Sequence, residues 1–164
     1  NAFDMLEKGV AIEQLDKAME SYGMSVGPVK LLDEVGIDIP YNVMKANNMK
    51  IHATFENIIK DGRYGLKKGG RGLFLKDGRV DPDVLPLILI KEKHSMSDEE
   101  IQDAFFTAML KTSKELLDKK VVENPYHIDI GMIWGAGFPF DKGGPLKWAD
   151  LIGKSSELFG KTFY

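Results

Sequence analysis

The chain has 164 residues, a formal charge of −3 at pH 7 and no cysteine, and its size allows burial of about 70% of the surface the unfolded form exposes. That charge balance excludes a protein whose main task is to neutralise nucleic-acid phosphates, and the absence of thiols excludes a disulfide framework. No apolar run reaches membrane-spanning length, the longest being interrupted at Pro86, and no signal-peptide pattern opens the chain, so a cytoplasmic location is expected.

Helical pattern starts at once from Asn1, with no methionine, which points to a piece of something longer. Ala2 to Lys8 reads as the last two turns of a helix closed by Gly9. Ile12, Leu15, Met19 and Tyr22, at spacings of three and four, predict a second helix stopped by Gly23. Gly27 to Gly36, GPVKLLDEVG, predicts a short helix with Pro at its first position and Gly past its end. Ile39 to Phe55 predicts another, with Asn47 and Asn48 as the weak point. His52 there reads as a surface or packed histidine, because a metal site needs several convergent donors.

The middle differs in character. Arg63, Lys67, Lys68, Arg71, Lys76 and Arg79 stand against Asp77 alone in the run from Arg63 to Arg79, with Gly69, Gly70 and Gly72 among them. Two readings stay open: an anion held by backbone amides, or a solvated loop with a small hairpin, Leu73 to Leu75, turning at Asp77-Gly78. Asp81 to Met96 reads as a linker broken by Pro82 and Pro86.

Ser97 with Glu100 is a capping box opening a long helix to about Lys119, with Ile101, Ala104, Phe105, Ala108 and Met109 as its apolar stripe. Asn124 and Pro125 start the next. Gly144 to Gly153, GPLKWADLIG, then repeats Gly27 to Gly36: Gly27, Pro28, Lys30, Asp33 and Gly36 recur as Gly144, Pro145, Lys147, Asp150 and Gly153, always 117 residues on. Val29, Leu32 and Val35 match Leu146, Ala149 and Ile152 as one buried face, and Leu15-Asp16 matches Ile128-Asp129 at a separation of 113. Internal duplication is the reading.

Gly135-Ala136-Gly137-Phe138-Pro139-Phe140, then Gly143-Gly144-Pro145 and Trp148-Ala149-Asp150, closely resemble the carboxyl-terminal region of 3-hydroxyacyl-CoA dehydrogenases. So do Gly23-Met24, Val26-Gly27-Pro28, Leu31-Leu32-Asp33, Val35-Gly36-Ile37-Asp38, Arg63-Tyr64-Gly65 and Gly70 to Phe74. The likeness covers nearly the whole chain. Its two copies favour the multifunctional kind, the alpha subunit of fatty acid oxidation complexes.

The resemblance implies an all-α fold of two related repeats, similar to the carboxyl-terminal domain of 6-phosphogluconate dehydrogenase. On this reading residues 1–76 form the first repeat, truncated at its amino end, 77–96 the linker and 97–164 the second repeat. It further implies a parent enzyme that oxidises 3-hydroxyacyl-CoA with NAD in fatty acid β-oxidation, with an enoyl-CoA hydratase domain upstream. The Rossmann domain that binds NAD and carries the catalytic His and Glu is not in this sequence, which has no G-x-G-x-x-G between a strand and a helix. This chain alone is therefore expected to be inactive, with no catalytic, cofactor-binding or metal-binding residue. The family's substrate-contacting Asn would align upstream of Asn1. One position carries over: the family's substrate-contacting aromatic falls on Trp134, which the residues alone favour as a core anchor and which the resemblance equally allows as a substrate contact. Phe138 to Phe140 shape the turn, Asp141 and Lys142 are expected to face solvent, and neither His94 nor His127 has a carboxylate arranged for acid-base work. Implied partners are the Rossmann domain, a homodimer mate or a thiolase subunit. Two rival readings remain: a non-enzymatic oligomerisation module, and an anion- or CoA-binding adaptor working through residues 63–79.

Overall fold

The computed structural model describes residues 2–46, 48–66, 70–92 and 94–164. Asn1, Asn47, Lys67, Lys68 and Gly69 lie outside them. Helices α1 (Ala2–Glu7), α2 (Ile12–Tyr22), α3 (Pro28–Val35), α4 (Asp38–Ala46) and α5 (Ala53–Lys60) make the first half; α6 (Asp98–Asp118), α7 (Pro125–Ala136), α8 (Pro145–Leu151) and α9 (Lys154–Phe159) make the second. The fold is all-α: among the described residues β pairing is confined to two isolated bridges, one of which, Phe74 with Val80, closes the small hairpin at Asp77-Gly78.

Local chemistry sets most of the boundaries. Gly23 ends α2 in the left-handed region at φ 113°, its N–H bonded to Met19 and Glu20 carbonyls. Ser97 and Glu100 close a reciprocal capping box at α6. The helix expected from Ile39 to Phe55 is two helices, α4 and α5. Asn48 between them stands at φ 53°, a conformation that asparagine tolerates and a helix interior does not.

Two apolar clusters form the core. The first gathers Phe3, Leu6, Ile12, Leu15, Val29, Phe55, Ile58, Leu73 and Val84; the second gathers Met19, Met24, Phe106, Leu110, Phe138, Leu146 and Ala149. α6 joins them, Ile101 entering the first and Phe106 and Leu110 the second. Its most buried line is therefore Ile101, Phe106, Leu110 and Ser113, while Ala104, Phe105, Ala108 and Met109 of the expected stripe are only half-buried. A helix squeezed between α2 and α8 is covered on two flanks, which shifts the stripe by one residue. The repeated face of α3 and α8 is also shorter than expected: Val29, Leu146 and Ala149 are buried, but Val35 and Ile152 are 42% and 49% exposed.

The described residues of Asp81 to Met96, which leave out Lys93, are tied down at several points. Pro82–Leu87 is a 3-10 helix with Val84 fully buried. Asn57 donates to the Leu87 carbonyl, Leu89 N–H to Thr54 Oγ1, and Lys91 and His94 N–H to the carbonyls of Glu7 and Lys8.

Four buried or half-buried aspartates hold the two halves in the same way. Asp16 accepts the N–H groups of Val29 and Lys30 at 2.8 and 3.0 Å, and Asp129 those of Leu146 and Lys147 at 2.7 and 3.0 Å. Each carboxylate thus caps the next short helix from the preceding one, satisfying two of its orphan donors. Gly27 and Gly144 are required beside them, since an added Cβ would lie 2.3 Å from the Cβ of Asp16 or Asp129. Asp33 then accepts from Leu73 and Phe74 N–H at 2.8 and 3.1 Å, and Asp150 from Phe163 and Tyr164 N–H, each at 3.0 Å. Hydrogen bonds to a charged acceptor contribute about 1.5–3 kcal/mol each, so these eight are a large share of what orients the short helices.

Burial pushes the Asp16 carboxyl up to about 6 in spite of its two amides, and burial likewise raises Asp33 and Asp129. At these sites the folded chain binds protons more readily than the unfolded one. Ionising them costs the folded chain more than the unfolded one, so the stability they lend below the ordinary value of 3.8 is lost as pH rises, for Asp16 through about 6. Glu7 runs the other way. Burial raises it, but bonds from Lys91 and Thr54 prevail and hold it near about 2, so its contribution is lost as pH falls below 4.5. Thermal unfolding followed by circular dichroism should therefore give a Tm that rises from about pH 7 to about pH 5 and falls below about pH 4, with Asp16→Asn flattening the rise.

Candidate functional site

α7 is apolar on every side, yet only Asp129 in it is buried. Such a helix ordinarily lies inside a protein. Here it meets α8 on one flank and presents Tyr126, Ile130 and Trp134 outward. Trp134 is 81% exposed, so it is not the core anchor that its size suggested. It stands over a hollow of 340 Å³ shared with Gly23, Ser25, Ile133, Gly137 and Pro139. Phe140, 77% exposed, forms the other lip, whereas Phe138 turns inward and is buried against Phe106 and Tyr22. The turn that carries these rings is pinned to the first half by the Ser25 N–H, which donates to the Gly137 carbonyl at 2.9 Å.

Lys142 completes that pin and does not simply face solvent. Its ammonium donates to the Tyr22 carbonyl at 3.0 Å, at the carboxyl end of α2, and lies 4.8 Å from the Tyr22 ring and 5.6 Å from the Trp148 ring. A cation there suits both the helix end and the ring faces. Nothing in the sequence brings residues 22 and 142 together. Asp141 is exposed as expected.

A second hollow, an apolar groove of 660 Å³, opens between the halves. α3 and α4 form one wall through Leu31, Val35, Ile39 and Val43; Phe105, Met109 and Met132 form the other. Neither hollow brings together an acid and a base suited to catalysis. His52 lies elsewhere, stacked on Phe3 and 3.4 and 3.5 Å from Asp4 and Glu7 oxygens. His94 and His127 are exposed. Among the described residues no group of three potential ligands is disposed to hold a metal.

The arginines of the basic run are paired within the fold. Arg63 is fully buried and donates to Asp61 at 2.9 Å, to Asp81 at 2.7 Å and to the Gly72 carbonyl at 2.6 Å. Arg71 pairs with Asp83 at 3.0 Å and Arg79 with Asp77 at 2.7 Å. The acids that neutralise Arg63 and Arg71 stand just outside the window in which only Asp77 was counted. Gly72 serves the protein itself, since a Cβ there would meet the Asp33 carboxylate at 2.2 Å. Arg63 is structural, whereas Arg71 and Arg79 form exposed pairs. The Arg63 bond is the main reason that Asp81 sits below the usual carboxylate range. Arg63→Met should cost about 3 kcal/mol by removing the nearer cation of Asp81 and leaving only Arg71, at 3.7 Å, measurable as a lower urea midpoint.

Two helical halves thus each clasp a Gly-Pro short helix through aspartates. Residues 1–73 match the family model described as 3-hydroxyacyl-CoA dehydrogenase, C-terminal domain. The chain is 33% identical over 93% of its length to the fatty acid oxidation complex subunit alpha of Shewanella amazonensis, and spans only 23% of that protein. A crystal structure of the dehydrogenase part of multifunctional enzyme 1 from C. elegans shares the fold, with a TM-score of 0.61 and 21% identity, over 93% of this chain and 39% of that one. The chain is thus similar over residues 1–73 to the 3-hydroxyacyl-CoA dehydrogenase C-terminal domain, and over 93% of its length to part of a fatty acid oxidation complex subunit alpha.

Proposed function

We propose that this chain is the helical part of an NAD-dependent 3-hydroxyacyl-CoA dehydrogenase of fatty acid oxidation, where it helps to close the acyl-CoA cleft and packs subunits together. Residues 1–76 and 97–164 act as its two repeats, with 77–96 strapped across the first. NAD, the catalytic acid-base pair and the hydride transfer belong to a Rossmann domain outside this sequence, and a homodimer mate or a thiolase subunit is the partner outside the chain. The observation that carries this reading is the 33% identity to a fatty acid oxidation complex subunit, spread over 93% of the chain.

Trp134 is the residue assigned to the substrate. Its ring stands free at a hollow edged by glycine and proline, a surface on which a narrow acyl or pantetheine chain can lie flat. The indole offers one donor and no acceptor, so it contributes contact area and at most one hydrogen bond to a carbonyl.

Calorimetric titration of the chain with NADH should give no saturation, and acetoacetyl-CoA should bind weakly, as half a cleft does. Acyl-CoA should perturb tryptophan fluorescence in the parent sequence and not in Trp134→Phe, with Tm unchanged between them. Tight NADH binding would contradict the assignment, and quenching that survives the substitution would remove Trp134 from the site.

A further inference from the structure

The repeat supplies an internal comparison for one lysine. Lys30 and Lys147 are counterparts at the displacement of 117, each on a short Gly-Pro helix and each with its N–H on an aspartate clasp. In the second half the Lys147 ammonium lies 5.1 Å from the ring of Tyr164, whose N–H donates to Asp150. Phe74, whose N–H donates to Asp33, takes the corresponding place in the first half, but it is turned in and only 8% exposed. The chain then runs on into the hairpin. A hollow of 460 Å³ results, lined chiefly by Lys30, Leu66, Phe74, Leu75 and Lys76.

The charge of this hollow is one-sided. Two lysines line it, and none of its described lining residues is an acid. The neighbouring arginines are neutralised where they stand, Arg63 by Asp61 and Asp81, Arg71 by Asp83 and Arg79 by Asp77. Among the described residues Lys30 and Lys76 make no such pair. Two like charges at one concavity leave a positive field, and the apolar wall of Leu66, Phe74 and Leu75 lowers the dielectric through which it acts. That wall is built in advance. Leu75 N–H donates to the Arg79 carbonyl at 2.8 Å and Gly78 N–H to the Leu75 carbonyl at 2.9 Å, with Gly78 at φ 83°.

We propose that this hollow binds a phosphate ester, with the phosphate between Lys30 and Lys76 and the organic body on Leu66 and Leu75. Lysine meets phosphate as a mobile point charge. The volume exceeds what a bare anion fills and lies in the range of small-molecule sites. The basic run invites an anion; the fold withdraws its arginines into ion pairs and brings Lys30 of α3 to Lys76 instead. The inference does not rest on the dehydrogenase reading, and Trp134 has no part in it.

The probes are ADP and inorganic pyrophosphate, the same diphosphate with and without a nucleoside, titrated calorimetrically into the chain without divalent metal. Saturable one-site binding of ADP is expected, weaker as salt rises, with pyrophosphate several-fold weaker because it leaves the apolar wall uncovered. Lys30→Met and Lys76→Met should each lower ADP affinity roughly tenfold, the loss of one charge-assisted contact. Lys17→Met removes the same charge from an exposed position on α2 outside the hollow and should change nothing, as should Trp134→Phe. All three lysines are exposed, so each variant should melt close to the parent. Absence of ADP binding, or undiminished binding by both Lys30→Met and Lys76→Met, overturns the proposal. An equal loss in Lys17→Met reduces the effect to bulk charge and overturns it too. Pyrophosphate binding as tightly as ADP would remove the organic body from the hollow, and loss of ADP binding in Trp134→Phe would move the ligand to the other hollow; either result contradicts the assignment.

Discussion

A carboxylate that accepts two consecutive backbone amides is the contact on which this structure depends. It occurs four times among the described residues. Asp16 and Asp129 reach from one helix to the start of the next short helix, and Asp33 and Asp150 reach from that short helix to the strand-like segment that closes each half. A hydrophobic face fixes which side of α3 or α8 is inward but leaves its rotation and rise loosely determined. Two directed bonds at the amino end fix both, and they act where the helix presents its unsatisfied donors. The glycines at 27 and 144 follow from the same contact, because a carboxylate cannot approach the backbone this closely past a side chain. The last residue is drawn in as well: the Tyr164 hydroxyl donates to Asp129 at 2.8 Å, while its N–H donates to Asp150.

The halves are joined by interdigitation. α6 belongs to the second half by order but rests on α2 of the first, and the Gly137 to Lys142 turn reaches back to Ser25 and Tyr22. Such an exchange leaves neither half with a closed core of its own. It also explains why the exposed apolar surface gathers on α3, α4 and α7, the elements whose counterparts are covered by α6 or by one another. Contiguous apolar patches of this kind mark surfaces that other parts of a protein cover.

Much of the architecture was legible in the residues. The Gly-Pro openings, the glycine stops and the Ser97 capping box carry their structural meaning in a few adjacent positions, so α2, α3, α6 and α7 fall where the pattern puts them. The identity of Asp33 and Asp150 was visible, but their partners forty and thirteen residues away were not, because hydrogen bonds to distant amides leave no periodic trace. The same limit misled the count of charge around Arg63. A window of local sequence registered Asp77 and missed Asp61, Asp81 and Asp83, which the fold brings to the guanidinium groups. Trp134 failed as a core residue for a related reason: its helix is apolar all round, and periodicity cannot say which side of such a helix is covered.

Amide hydrogen exchange resolved by residue tests the central claim most directly. If the aspartate clasps hold the fold, the N–H groups of Val29, Lys30, Leu73, Phe74, Leu146 and Lys147 exchange only through global unfolding, as slowly as the interior amides of α2 and α6. Exchange of these six at the rate of frayed helix ends, with α2 and α6 still protected, would show that apolar packing alone sets the arrangement and would contradict the account.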